Sequence, residues 1–424
     1  MLACTASYDP PASFFPADFN REDYARGILE ERQQADVTVT AAVFSPCGQF
    51  LICASDSGRL ALWVLAPYLT SEAWSGPQRP DQTPDLSFQA DESCINSLAF
   101  AEDFLLCGGD ESLFGWPLSE LVRAMDTGEA PRAEPTLCIR CPQGKLRRGG
   151  LLPFPEINDV RYDQAAKRVV CAAGDARAHE WDLQSPSSPV CTYQGHQAYL
   201  HAVAISTGSS LAATASEDGT VGLWDRRLQQ STPFGDGVDP CRKSTAVGFL
   251  APARAKAGDS SGGKTSARKQ GGKSGEHEST AGGGAWVSTV ELDDGGHTLV
   301  CGGGSGGGVG SAWDAAGGRG WMSQWNLATR TAIRGTSLPA EIQCIMPSDE
   351  GHTLAIGSAE PVVNYFNRSR LERRSRTPVT PKTVYSLAIN KGAQNSGVTC
   401  VAGSGPWINI CTLPGIVAFS LYFV

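Results

Sequence analysis

The segment from Gly195 to Asp225 constrains this chain more than any other. It opens on Gly195-His196, continues through two strand-like stretches, Val203 to Ser206 and Leu211 to Ser216, turns at Glu217-Asp218-Gly219-Thr220, and ends on Val221-Gly222-Leu223-Trp224-Asp225. Apolar positions alternate or form short blocks between turn residues, the pattern of short sheet strands. A unit this small cannot bury its own faces, so further copies are expected beside it.

Weaker copies share the frame of an apolar run, a small-residue strand, a Gly or Asp turn and an aromatic-bearing strand. They lie at Ala42 to Trp63, Ile95 to Trp116, Ile157 to Trp181, Trp286 to Trp325, Ile342 to Phe366 and Tyr385 to Ile410, making seven with the clear copy. Only Trp181-Asp182 and Trp224-Asp225 keep the full dipeptide, which leaves six or eight copies open beside the favoured seven. The fold class predicted is all-β, a seven-bladed WD-repeat β-propeller with a short N-terminal helix. Each blade buries both faces against its neighbours, so its strands favour Val, Ile, Leu, Ala and Cys, and its turns Gly and Asp. In the clear copy His196, a strand hydroxyl (Thr214 or Ser216), Asp218 and Trp224 resemble the hydrogen-bonded tetrad of WD repeats, a structural role.

Residues 1–36 read as an extension with a helix over Asp18 to Gln34, and 37–424 as the propeller. The ending Gly415 to Val424 alternates like a strand and is expected to form the outer strand of the last blade, closing the ring without a strand borrowed from the N-terminus. Between Ala251 and Gly284 the composition turns to Gly, Ser, Lys and Thr and predicts a disordered loop. A second Gly-rich stretch, Gly302 to Gly320, reads as an insertion in blade five.

The formal net charge is -9, so the whole-molecule field repels nucleic acid and favours protein partners. No N-terminal stretch reads as a signal peptide and no apolar run approaches the ~20 residues that span a bilayer, so the chain is expected inside the cell and away from membranes. Many of the 14 Cys fall in apolar strand-like runs (Cys53, Cys107, Cys171, Cys301, Cys344, Cys400, Cys411) and are expected as buried thiols.

Motifs for catalysis are scarce. Gly258 to Thr265 fits the phosphate-loop pattern, but no buried strand delivers it and no helix follows, so it reads as accidental. Cys138-Ile139-Arg140-Cys141 lacks a second ligand pair and reads as two loop thiols. No nucleophile elbow, H-E-x-x-H or paired-carboxylate spacing is present, and no catalytic, cofactor or metal site is expected. Basic clusters occur at Lys145 to Arg148, in the 251–284 loop and at Arg368 to Arg376. The last reads first as a solvated inter-blade loop, with an RNA contact or a nuclear address as the sharper alternatives. Phosphorylation of Thr377 or Thr380, each followed by Pro, would set negative charge beside these arginines.

Four stretches together resemble the THO complex subunit 6 family. They are Ser45-Pro46-Cys47-Gly48-Gln49-Phe50-Leu51; Pro155-Glu156-Ile157-Asn158 through Gly174-Asp175 to Trp181-Asp182-Leu183; Gly195 to His201 with Glu217-Asp218-Gly219; and Ala418-Phe419-Ser420-Leu421. They follow the family order across nearly the whole chain, while the Gly-rich segments near blade five depart from it. The resemblance implies a nuclear scaffold without catalysis, in an assembly that couples transcription to messenger-RNA packaging and export. It also implies binding to the coiled-coil subunits 5 and 7 and bridging of copies of the complex. A second resemblance competes: Leu223-Trp224-Asp225-Arg226-Arg227 is similar to the W-D-x-R box of WD proteins that dock on the adaptor of cullin-4 ubiquitin ligases as substrate receptors. Trp224, Asp225 and Arg227 would carry that contact, Arg227 as a bidentate fork.

Overall fold

The large apolar residue that ends each repeat stands at one equivalent place in seven sheets. In the computed structural model, which describes residues 37–69, 82–131, 134–144, 151–227, 229–230, 242–244, 248–251, 285–305, 319–347, 352–392, 396–413 and 416–423, each of these residues lies on the third strand of its sheet. Trp63, Trp116, Trp181, Trp224, Trp325, Phe366 and Ile410 stand opposite Leu51, Leu105, Val169, Ala212, Leu299, Leu354 and Cys400 of the second strand. None of the seven is more than 4% exposed. Aromatic rings this size fill the wedge between twisted sheets and dominate the burial energy of each blade.

The chain is a seven-bladed WD-repeat β-propeller. The inner strands are Val39–Phe44, Ile95–Ala101, Ile157–Asp163, Leu200–Ile205, Ala285–Leu292, Ile342–Pro347 and Val384–Ile389. From each of them the sheet grows outward by antiparallel hairpins. Seven apolar clusters each join two neighbouring blades. The one between blades seven and one packs Trp63 and Tyr68 with Phe419, Leu421 and Phe423. The ring therefore closes on an apolar seam, and the outer strand of blade seven is Ile416–Tyr422, from the chain's own end.

Several elements differ from the sequence reading. Gly302 to Gly304 belong to the strand Thr298–Ser305 and not to an insertion. A Cβ on Gly303 would fall 2.0 Å from the Trp286 carbonyl oxygen, so the glycine reports close backbone packing. The arginine-rich stretch is a turn followed by a strand, Arg373–Pro378, the outermost of blade six, rather than a loop. Blade three is also wider than a four-stranded blade. Arg242–Ser244 pairs parallel to its strand Cys191–Gln194, and Gln229–Gln230 pairs with Arg242–Ser244, giving six strands in one sheet.

Among the described residues the one α-helix is Leu118–Thr127, between the third and fourth strands of blade two. Pro117 starts it, and Gly128, at φ 69°, ends it with its N–H on the Ala124 carbonyl, the usual asymmetry of helix ends. Leu121 and Ala124 are buried beneath it. No helix among the described residues is long and apolar enough to cross a membrane. The predicted helix over Asp18 to Gln34, the loop of 252–284 and the 306–318 part of the Gly-rich stretch lie outside the described residues.

Candidate docking sites

The tetrad residues of blade four meet in one hydrogen-bonded chain. Trp224 Nε1 donates to Thr214 Oγ1 at 2.9 Å, Thr214 Oγ1 lies 2.7 Å from His196 Nε2, and His196 Nδ1 lies 2.9 Å from Asp218 Oδ2. With the Trp proton on Thr214, the hydroxyl proton is free to donate to His196 Nε2. The imidazole proton then sits on Nδ1, facing the carboxylate. Thr214, not Ser216, is the strand hydroxyl of the chain; Ser216 Oγ instead donates to Ala198 O and accepts from Asp218 N, both at 3.1 Å. Burial alone would push the Asp218 carboxyl up. Hydrogen bonds from His196, Thr220 and the Gln197 amide outweigh it and hold the group below the usual carboxylate range.

Of the three box residues, one reaches solvent. Trp224 is fully buried and Asp225 is 9% exposed, whereas the Arg227 side chain is 76% exposed. Arg227 folds back on Asp225, with Nε on Oδ1 at 3.1 Å and Nη2 on Oδ2 at 2.8 Å. These bonds hold Asp225 below its ordinary value.

The neighbour that the sequence reading passed over, Arg226, turns inward. Its guanidinium donates to Asp163 and, at 2.7 Å, to Glu180, both in blade three. Glu180 is completely buried and also accepts from Tyr193 and, at 3.4 Å, from Arg168. One signal for this strut was available: a carboxylate on a blade's third strand, beside Trp181, needs a cationic partner when buried.

The channel carries a third constellation. In every blade the residue that follows an apolar residue of the inner strand (Val39, Ile95, Ile157, Leu200, Val287, Ile342 or Val384) is bulged out of the ladder: Thr40, Asn96, Asn158, His201, Ser288, Gln343 and Tyr385. Four of these side chains donate to the carbonyl of the next blade's inner strand. They are Thr40 to Ile95 (2.5 Å), Asn96 to Ile157 (3.4 Å), Asn158 to Leu200 (2.8 Å) and Ser288 to Ile342 (2.5 Å). His201 breaks the ring by pairing with Glu217 at 2.7 Å.

Deeper in the channel, Asp159 accepts from Ser97 of blade two at 3.3 Å and from the Val203 amide of blade four at 3.0 Å. Arg161 spans from Asp159 to Glu291 of blade five at 3.4 and 3.2 Å. Burial pushes the Glu291 carboxyl up, against the pull of Arg161.

The remaining sequence candidates are dispersed. Cys138 is exposed on the outer strand Leu137–Arg140 of blade two, so it is not a loop thiol, while Cys141 is buried. The twelve described cysteines are free thiols. Of those expected to be buried, Cys344 is only partly so; burial pushes the Cys301, Cys344 and Cys411 thiols up to about 12. Among the described residues no group of three or more His, Cys, Asp or Glu could hold a metal ion. Thr377 is 2% exposed, which closes it to a kinase in the folded chain, whereas Thr380 is exposed. Residues 145–148 and 258–265 lie outside the described residues.

Comparison with known proteins agrees with this geometry. The family described as WD domain, G-beta repeat matches residues 30–63 and 187–225. THO complex subunit 6 of Arabidopsis thaliana is 27% identical over 410 residues, covering 93% of this chain and 94% of that protein. THO complex subunit 6 of Homo sapiens is 27% identical over 200 residues, covering 47% and 54%. The target of rapamycin complex subunit wat1 of Schizosaccharomyces pombe is 37% identical over 62 residues, 14% of this chain and 20% of that protein. The chain is a WD-repeat β-propeller similar, along nearly its whole length, to THO complex subunit 6.

Proposed function

We propose that this chain is a non-catalytic scaffold subunit of a THO complex, acting in the nucleus in messenger-ribonucleoprotein assembly and in export coupled to transcription. The observation that carries the reading is the similarity to THO complex subunit 6 over 93% of the chain. The architecture supports it physically. A closed ring of seven apolar seams offers a rigid platform, and three titratable groups of the channel region, Asp159, Arg161 and Glu291, are engaged in ion pairs with one another. The partners in this reading are the coiled-coil subunits 5 and 7, with no membrane contact and no cofactor.

The second reading, a cullin-4 substrate receptor docking through Trp224, Asp225 and Arg227, has the exposure of Arg227 in its favour and its bidentate bond to Asp225 against it. Affinity purification of the tagged chain with quantitative mass spectrometry separates the two. THO subunits are expected in the eluate. Recovery of the adaptor and cullin with no THO subunit overturns the first reading.

A further inference from the structure

The outer strand of blade six is unlike the other six. Arg373–Pro378 carries three arginines, Arg373, Arg374 and Arg376, whereas no other blade's fourth strand holds more than one Lys or Arg. With Arg368 and Arg370 in the preceding turn, five arginines face one glutamate, Glu372, within nine residues of a chain whose net charge is -9. All three strand arginines are exposed.

The strand lies at the end of its sheet. It pairs with Glu360–Asn367 on one side and, among the described residues, with nothing on the other. The pairing skips Arg374, which opposes no partner residue, so a bulge interrupts the alternation and sets consecutive arginines outward. Local anions satisfy little of this charge. Arg376 reaches Glu360 at 3.1 Å, Arg370 and Glu372 stand 3.9 Å apart with both side chains at least 70% exposed, and Arg374 meets, among the described residues, the Thr353 hydroxyl, at 3.5 Å, and no carboxylate.

Charged side chains and bulges are how sheet edges resist unwanted pairing. Arginines repel a second copy of the same edge, yet the backbone amides and carbonyls along it remain available to a strand of opposite charge. We propose that the outer edge of blade six binds an acidic, extended segment of a partner protein, which adds as a fifth strand with its carboxylates against Arg373, Arg374 and Arg376. The backbone ladder supplies affinity and the guanidinium forks supply selectivity. A nucleic acid is the poorer fit, because phosphates would meet the same arginines inside an acidic overall field and would leave the strand's backbone groups unused.

The test uses the full chain and a labelled peptide of alternating Glu and Val, followed by fluorescence anisotropy. The peptide should bind, and the triple variant Arg373→Glu, Arg374→Glu, Arg376→Glu should weaken it at least about tenfold while the circular dichroism spectrum stays unchanged. A peptide of the same charge with Pro at alternate positions lacks half of its backbone N–H groups and is held toward polyproline II instead of a strand, so it should also bind at least about tenfold more weakly. Arg374→Lys, which keeps the charge, guards against a fold defect in the triple variant and should retain binding. The proposal is overturned if the Glu-Val peptide does not bind, if the triple variant binds it equally, if the Pro-interrupted peptide binds as well, or if polyuridylate displaces the peptide at equal charge concentration. Recovery of THO subunits from cells bears on the proposed function alone, so the two fail independently.

Discussion

The guanidinium of Arg226, 8% exposed in blade four, lies 2.7 Å from the fully buried carboxylate of Glu180 in blade three. Removing one member of such a pair strands the other charge in the interior. Arg226→Ala should therefore cost about 3 to 5 kcal/mol, read as a lower urea midpoint, whereas Arg227→Ala next to it should shift stability by less than about 0.5 kcal/mol. The double variant Arg226→Met with Glu180→Gln should recover only part of the loss, because Asp163 still lacks its guanidinium partner. Equal effects at the two arginines would refute the inter-blade strut.

Thr214 is the hub between Trp224 and His196. Thr214→Val keeps the shape and leaves the indole N–H and the imidazole nitrogen unpaired, for a cost of about 1 to 3 kcal/mol. Thr214→Ser restores the hydroxyl and should cost less. If the Val and Ser variants melt together, the hydrogen-bonded chain contributes nothing and packing alone explains the site.

Two carboxylates should respond to pH in opposite senses. Asp218 is held below its ordinary value; its contribution is present above the unfolded-state value near ~3.9 and is lost as pH falls through the lower folded value. Glu291 is pushed up. It keeps its proton to higher pH in the folded chain than in the unfolded one, so its ionisation opposes folding above the unfolded-state value of ~4.3. Thermal melts from about pH 3 to about pH 7 should show Asp218→Asn growing worse relative to the parent as pH rises, and Glu291→Gln growing better. Parallel curves for both variants would contradict these assignments.

Closure depends on the last strand. Deleting residues 416–424 removes Phe419, Leu421 and Phe423 from the seam they share with Trp63 and Tyr68. At about 1.5 to 3 kcal/mol for each buried side chain, the loss rivals the whole stability of a typical domain. The truncated chain should lose its near-ultraviolet dichroism and elute as aggregate. A monomeric, cooperatively melting product would show that the ring does not need this strand.

Much of the ring was legible because a blade repeats its needs: a large apolar residue after a tight turn recurs from Trp63 to Ile410, and the alternation in Ala418-Phe419-Ser420-Leu421 marks a half-buried strand. The channel ring was not legible. Its seven positions share a bulge rather than a residue type, being Thr, Asn, Asn, His, Ser, Gln and Tyr, and only alignment of the strands exposes them. Arg373 to Arg376 read as a loop because charge signals solvent and the bulge at Arg374 scrambles the period of two. The helix Leu118–Thr127 had its signals in Pro117 and Gly128, which a search for strand repeats passes over. Within the W-D-x-R box the spacing draws attention to Arg227, yet the buried contact belongs to Arg226, because only three-dimensional packing sets Glu180 beside it.

The central claim is that the propeller is a docking subunit. Its most direct test is size-exclusion chromatography with multi-angle light scattering of the purified chain mixed with the coiled-coil subunits 5 and 7 of the same THO complex. A single peak whose mass includes all three chains is the predicted result; elution of the propeller at its monomer mass, apart from a complex of the other two, would contradict it.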